Sequence, residues 1–208
     1  RLTGSMDNRL LFYRENQKQI PAICNRIIPP EIRSVAEYHA AQEEVFAELR
    51  ARDAGILCEE WLNSAGMIVR FSRKCLEIKA LDEQECIRSD MAVCAFARSL
   101  LRCPRLALPS DRETLLALLE DAIRGGTTEL RPELERLYGL AWEHATDDER
   151  FYLPLVRERI HTGSPAERIR DAVEGGTDIR DLLPVISSCL SENRPFPGRG
   201  GKSEGSLY

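Results

Sequence analysis

The chain has 208 residues, 43% of them hydrophobic, and a formal net charge of −5. That is apolar content enough for one sizeable core. The acidic balance excludes a broad nucleic-acid surface, which needs a dominant basic face to displace counterions. No segment approaches the roughly 20 apolar residues that span a bilayer.

From the N-terminus, the chain opens with Arg1 and not Met, so it is either a piece of a longer polypeptide or carries an added extension, Arg1 to Ser5, before Met6. No basic and apolar leader pattern is read there. Asp7 is a helix cap, and DNRLLFYRENQKQ over 7–19 predicts a helix that ends before Pro21. Pro21, Pro29 and Pro30 forbid a long helix over 20–33 and predict an extended connector. Ser34 then caps a strong helix over 35–53, with Val35, Tyr38, Ala41, Val45, Phe46 and Leu49 as its apolar stripe.

The period then changes to two. Ile56 to Leu62, bounded by Gly55 and the turn cluster 63–66, predicts a first short strand. Met67 to Glu85 (MIVRFSRKCLEIKALDEQE) predicts two more, joined by Ser72-Arg73-Lys74. Alternation puts Met67, Val69, Phe71, Leu76, Ile78 and Ala80 on an oily face. It puts Ile68, Arg70, Ser72, Cys75, Glu77 and Lys79 on a mostly charged one. The helices that follow are expected to cover this three-stranded antiparallel meander. Of the adjacent pair Glu59 and Glu60, one must point toward the charged face.

From Glu85 the period is 3.6. Helical stripes are carried by Val93, Phe96, Ala97, Leu100 and Leu101, then by Leu115, Leu118, Leu119, Ala122 and Ile123 as far as Gly125-Gly126, then by Leu130, Leu134, Leu137 and Ala141 with Pro132 in the first turn. Shorter pieces follow over 153–160 and, after Ser164-Pro165, over 165–174. The last is carried by Ile179, Leu182, Leu183, Ile186, Cys189 and Leu190, with Pro184 as a kink or a late start. The Gly-Gly pairs at 125 and 175 follow helices and terminate them, which makes them poor phosphate cradles. The fold class is therefore α+β. A single unit over 1–192 comprises a helical part (7–50), the meander (56–82) and a run of short helices (85–192). The polar stretch 193–208 is expected to be a disordered tail.

The seven cysteines form no CxxC pair or Cys/His ligand spacing, and an odd number suits free thiols in a cytoplasmic location. His39, His144 and His161 have no ligand neighbour at a suitable spacing and read as structural. No Ser/His/Asp pattern, GxGxxG or P-loop is present.

The run EWLNSAGMIVRFSRKCLEIKALDEQEC resembles the glutamate-cysteine ligase and carboxylate-amine ligase family, in which a strand of pattern E-x-R-x-x-D follows an Arg-rich strand. The pattern here is Glu77-Ile78-Lys79-Ala80-Leu81-Asp82. The similarity extends upstream to Tyr13-Arg14 in DNRLLFYRENQKQIP and downstream to SSCLSENRPF, covering the C-terminal half of a family member. The resemblance implies a glutamine-synthetase-like antiparallel sheet and an ATP-dependent ligase. Such an enzyme joins a carboxylate, glutamate, to an amine such as cysteine through an acyl phosphate, with ATP and Mg²⁺ required. It implies Glu77 as a magnesium ligand, Lys79 and Arg70 as catalytic cations, and Arg70, Arg73, Lys79, Tyr13 and Arg14 as ATP- or substrate-binding residues.

Lys79 replaces the pattern's Arg, keeping the charge and losing the planar fork. Ser72 stands where near relatives carry Asp. One metal ligand and two cations do not complete a ligase site, so an N-terminal half or a partner chain is expected to complete the sheet, and a homo-oligomer is possible. The alternative is a non-catalytic interaction or regulatory module, with the charges forming a solvated face.

Overall fold

The computed structural model describes residues 4–17, 27–62, 65–106 and 111–197. Most of the expected connector after the first helix, turn residues Asn63 and Ser64, the break at 108–110 and the tail from 198 lie outside the described residues.

Several helices start at a capping side chain that the sequence shows. Asp7 accepts the Leu10 N–H at 2.8 Å and opens α1 (Asn8–Gln17). Ser34 accepts the Glu37 N–H at 3.1 Å and opens α2 (Val35–Ala51). After the hairpin come α3 (Ile87–Leu101), α4 (Arg112–His144), α5 (Asp147–Arg150), α6 (Leu153–Thr162), α7 (Pro165–Glu174) and α8 (Ile179–Ser191). Thr146 with Glu149, and Ser164 with Glu167, form reciprocal capping boxes at α5 and α7.

The expected break at Gly125-Gly126 is present inside α4. Gly126 has φ 61° and ψ −145°, a backbone state that side chains disfavour. Helix resumes at Thr127, where Glu167 accepts from the N–H and the hydroxyl of both Thr127 and Thr128. A distant carboxylate thus caps a helix restart, and Pro132 falls beyond the first turn of the resumed segment, later than the sequence reading placed it.

Two apolar clusters hold the helices. Ala95, Tyr138, Ala145, Leu153 and Ile160 join α3, the end of α4 and α6. Ala172, Leu182, Cys189 and Phe196 join α7, α8 and the residues after α8. Residues 193–197, expected to belong to a disordered tail, are therefore ordered against the helices. Phe196 is 3% exposed, its carbonyl accepts from Arg168 at 2.7 Å, and its N–H donates to Glu85 at 3.0 Å. Burial of one aromatic ring offsets the entropy of ordering the polar residues around it.

The three-stranded meander is corrected to two strands. β1 (Met67–Arg70) pairs antiparallel with β2 (Cys75–Ile78) in the register Met67↔Ile78, Ile68↔Glu77, Val69↔Leu76, Arg70↔Cys75. The expected strand over 56–62 instead begins in a 3₁₀ turn, Gly55–Leu57, and turns again where the Leu62 N–H meets the Glu59 carbonyl at 2.9 Å. Ile56 at its start is 89% exposed.

Candidate functional site

The register keeps Arg70 and Glu77 on one face of the hairpin and Met67, Val69, Leu76 and Ile78 on the other, as the alternation requires. Which face is covered is the reverse of the usual case. On β1 the charged side is the covered one, with Ile68 1% and Arg70 9% exposed against 45% for Met67, while on β2 both Cys75 and Leu76 are exposed.

Among the described residues, upstream contacts help seat the hairpin. Tyr38 on α2 exchanges hydrogen bonds with the Val69 backbone, accepting its N–H at 3.0 Å. Gly66 N–H meets the Ile27 carbonyl at 2.7 Å. Arg9 on α1 donates to the Ala80 carbonyl and pairs with Asp82 at 3.1 Å. Phe71 stacks on His39, with ring centroids 4.7 Å apart.

Arg70, Glu77 and Lys79 are brought together. Arg70 Nη1 lies 2.5 Å from Glu77 Oε2. The Lys79 ammonium donates to the Trp61 carbonyl at 2.6 Å. Burial pushes the Lys79 pKa down; Glu77 opposes that shift and Arg70 adds to it, so both lie within electrostatic reach of the ammonium. Glu60 is the acid that approaches this side. It accepts from the Ser72 hydroxyl at 2.6 Å, and that bond is the main reason its pKa is lowered.

The other residues named from sequence stand apart from this group. Arg73 lies in the exposed turn, its N–H on the Arg70 carbonyl at 3.1 Å. Arg14 pairs with Glu120 of α4 and with Glu15 at 3.5 Å, and Tyr13 is half-buried on the same helix.

Two parts of the arrangement were not read from sequence. The first is Arg9 locking the strand exit through Ala80 and Asp82; Asp82 closes the E-x-K-x-x-D pattern and was its only signal. The second is a cleft of about 770 Å³ that begins at Asp82, between the start of α1, residues 81–85, and helices α7 and α8.

A match to the model of glutamate-cysteine ligase family 2 (GCS2) spans residues 1–183. The chain belongs to this family. It is also 47% identical over 193 residues to an uncharacterized protein of Archaeoglobus fulgidus, a match covering 92% of this chain and 52% of that protein. The chain thus spans about half the length of the curated relative it matches. No solved structure matches it. The family is of ligase type, related to glutamate-cysteine ligase. In this chain a buried Arg70 pairs with a partly solvated Glu77, and Lys79 is half-buried beside them. Among the described residues no helix is long and apolar enough to cross a membrane.

Whether these residues suit magnesium is a matter of donor chemistry. Mg²⁺ is commonly held through one or two carboxylates, with water and substrate phosphates completing the octahedron. Glu77 keeps 40% of its side chain open while Arg70 orients it. Among the described residues no group of three or more His, Cys, Asp or Glu could hold a metal. Glu77 thus has the donor chemistry of one such carboxylate ligand, and the described residues do not supply a complete set.

Proposed function

We propose that the chain forms part of an ATP-dependent carboxylate–amine ligase that joins glutamate to an amine such as cysteine. The observation that carries this reading is the juxtaposition of Arg70, Glu77 and Lys79 on one face of the hairpin in a GCS2 chain. In the reaction, a carboxylate oxygen of glutamate takes the terminal phosphoryl group of ATP and ADP leaves. The amine nitrogen then attacks the acyl carbon, the C–N bond forms, the C–O bond to phosphate breaks, and phosphate and a proton depart.

Both steps crowd anionic oxygens together, so fixed cations contribute most where charge is concentrated. Arg70, anchored by Glu77, offers a preset planar donor. Lys79 offers a point charge beside it, able to follow the phosphoryl oxygens as they move. Mg²⁺ bound through Glu77 would neutralise phosphate charge and orient the reactants. Arg73, Tyr13 and Arg14 are assigned to nucleotide or substrate binding on the resemblance alone. The curated relative is about twice as long as the matched stretch, which supports further polypeptide, taken here as an upstream half, that completes the site.

The test is glutamate- and Mg²⁺-dependent ADP release, measured with and without the upstream half. The completed protein is expected to turn over, and Glu77→Ala to lower its rate at least 100-fold, a size typical for loss of a charge-stabilising group. Unchanged turnover in Glu77→Ala would remove the metal role. Absence of glutamate-dependent ADP release from the completed protein would instead favour a non-catalytic module.

A further inference from the structure

The cleft that opens at Asp82 differs in chemistry from the cationic hairpin face. At about 770 Å³ it is within the size range of small-molecule sites, roughly 300 to 1,000 Å³. Its apolar lining includes Leu81, Ile169, Val173 and Ile179. Four of its ionic groups are already compensated. Asp82 faces Arg9, Glu85 is gripped by Arg159 at 2.7 Å, Asp178 pairs with Arg180 at 3.1 Å, and Arg170 lies 4.0 Å from Glu174. Two carboxylates remain for which no cation stands opposite among the described residues. Asp7 accepts only the Leu10 N–H, and Glu83 stands at the exposed end of the segment leaving the hairpin.

An apolar hollow edged by two uncompensated carboxylates favours a cation with a hydrocarbon body and disfavours an anion. We infer that this cleft binds a small organic amine in its ammonium form, with its apolar side chain on Leu81, Ile169, Val173 and Ile179 and its charge toward Glu83 and Asp7. This deepens the ligase reading, on which the further identification of that amine as the acceptor rests. Only two residues, Ala80 and Leu81, separate Lys79 from Asp82, at most about 10 Å between Cα atoms at full extension. A bound amine would thus lie one short span from the carboxylate activated at Arg70 and Lys79. The cation-lined hairpin would take the acid and its phosphate, and the carboxylate-edged cleft would take the base. Opposite local charge would sort the two substrates.

The experiment is calorimetric titration of the chain, without ATP, using three probes: 3-methylbutylammonium, the isosteric anion 3-methylbutanoate, and ethylammonium. The first is expected to bind at least tenfold more tightly than the anion, and about tenfold more tightly than ethylammonium, which lacks most of the apolar body. Glu83→Gln, at an exposed position, is expected to weaken binding about fivefold. Ala166→Trp, which fills the cleft from the exposed start of α7, is expected to abolish it. Equal or tighter binding of 3-methylbutanoate, or binding unchanged in both variants, would overturn the inference. No ATP enters this titration, so its outcome is independent of ADP release, and the failure of one reading is not the failure of the other.

Discussion

Arg70 and Glu77 are diagonal neighbours across β1 and β2. Cys75 stands directly opposite Arg70 in the register, and Arg70 Nη1 reaches past it to Glu77 Oε2 at 2.5 Å. Because Arg70 is 9% exposed, removing its partner strands a buried cation. Glu77→Ala should therefore destabilise the chain by about 1 to 2 kcal/mol, a figure reduced from that for a fully buried pair because Glu77 is partly solvated. Urea unfolding measures it. The double variant Arg70→Met with Glu77→Leu should recover most of the loss, since no unpaired charge remains.

Gly126 admits no side chain without rearrangement. A Cβ there would meet Glu167 Oε1 and Met6 Cγ at 2.8 Å each, and the positive φ adds backbone strain. Gly126→Ala should cost about 2 to 3 kcal/mol in chemical unfolding. Gly139→Ala, on the same helix with open space at its Cβ, should be neutral or stabilising.

Glu149 links α5 to α3. Arg102 holds its carboxylate through a side-chain hydrogen bond, the largest cause of a pKa lowered from the ordinary 4.5 to about 2. A folded-state pKa below the unfolded one contributes stability at pH values above 4.5, and that stability is lost as pH falls through the folded value. The wild type should lose on the order of 2 kcal/mol from this group between pH 4.5 and 2, measured by urea unfolding across that window. Glu149→Gln should be destabilised near pH 7 and should lack this share of the acid dependence. Glu85 and Glu167, also lowered, will keep a slope of the same sign.

Phe196 closes the second apolar cluster. Phe196→Ala should destabilise by about 3 kcal/mol, and truncation after Asn193 by at least as much, because Arg168 and Glu85 then also lose backbone partners. Thermal unfolding of both variants tests this.

These residues mark where the sequence was readable. Local chemistry was legible wherever one residue dictates its own surroundings. Asp7, Ser34 and Ser164 start helices, Gly126 breaks one, and alternation over Met67 to Lys79 sorts the hairpin faces. Alternation says which residues share a side and says nothing about which side is roofed, so the burial of Arg70 and the openness of Met67 and Leu76 had to come from tertiary contacts. The apolar run 56–62 misled because composition without alternation does not specify a strand. A lone Phe196 among prolines gave no periodicity to read. The Arg9–Asp82 lock and the cleft beside it join segments far apart in the chain, and no local pattern encodes such a contact.

The central claim, that glutamate is activated as an acyl phosphate beside Arg70 and Lys79, is tested most directly by isotope transfer. The complete natural polypeptide would be given ATP, Mg²⁺, an acceptor amine and glutamate labelled with ¹⁸O in its side-chain carboxylate, and the released phosphate analysed by mass spectrometry. One ¹⁸O should appear in phosphate for each amide formed, and both should fall together in Lys79→Met and Glu77→Ala. Amide formation accompanied by unlabelled phosphate would contradict the account.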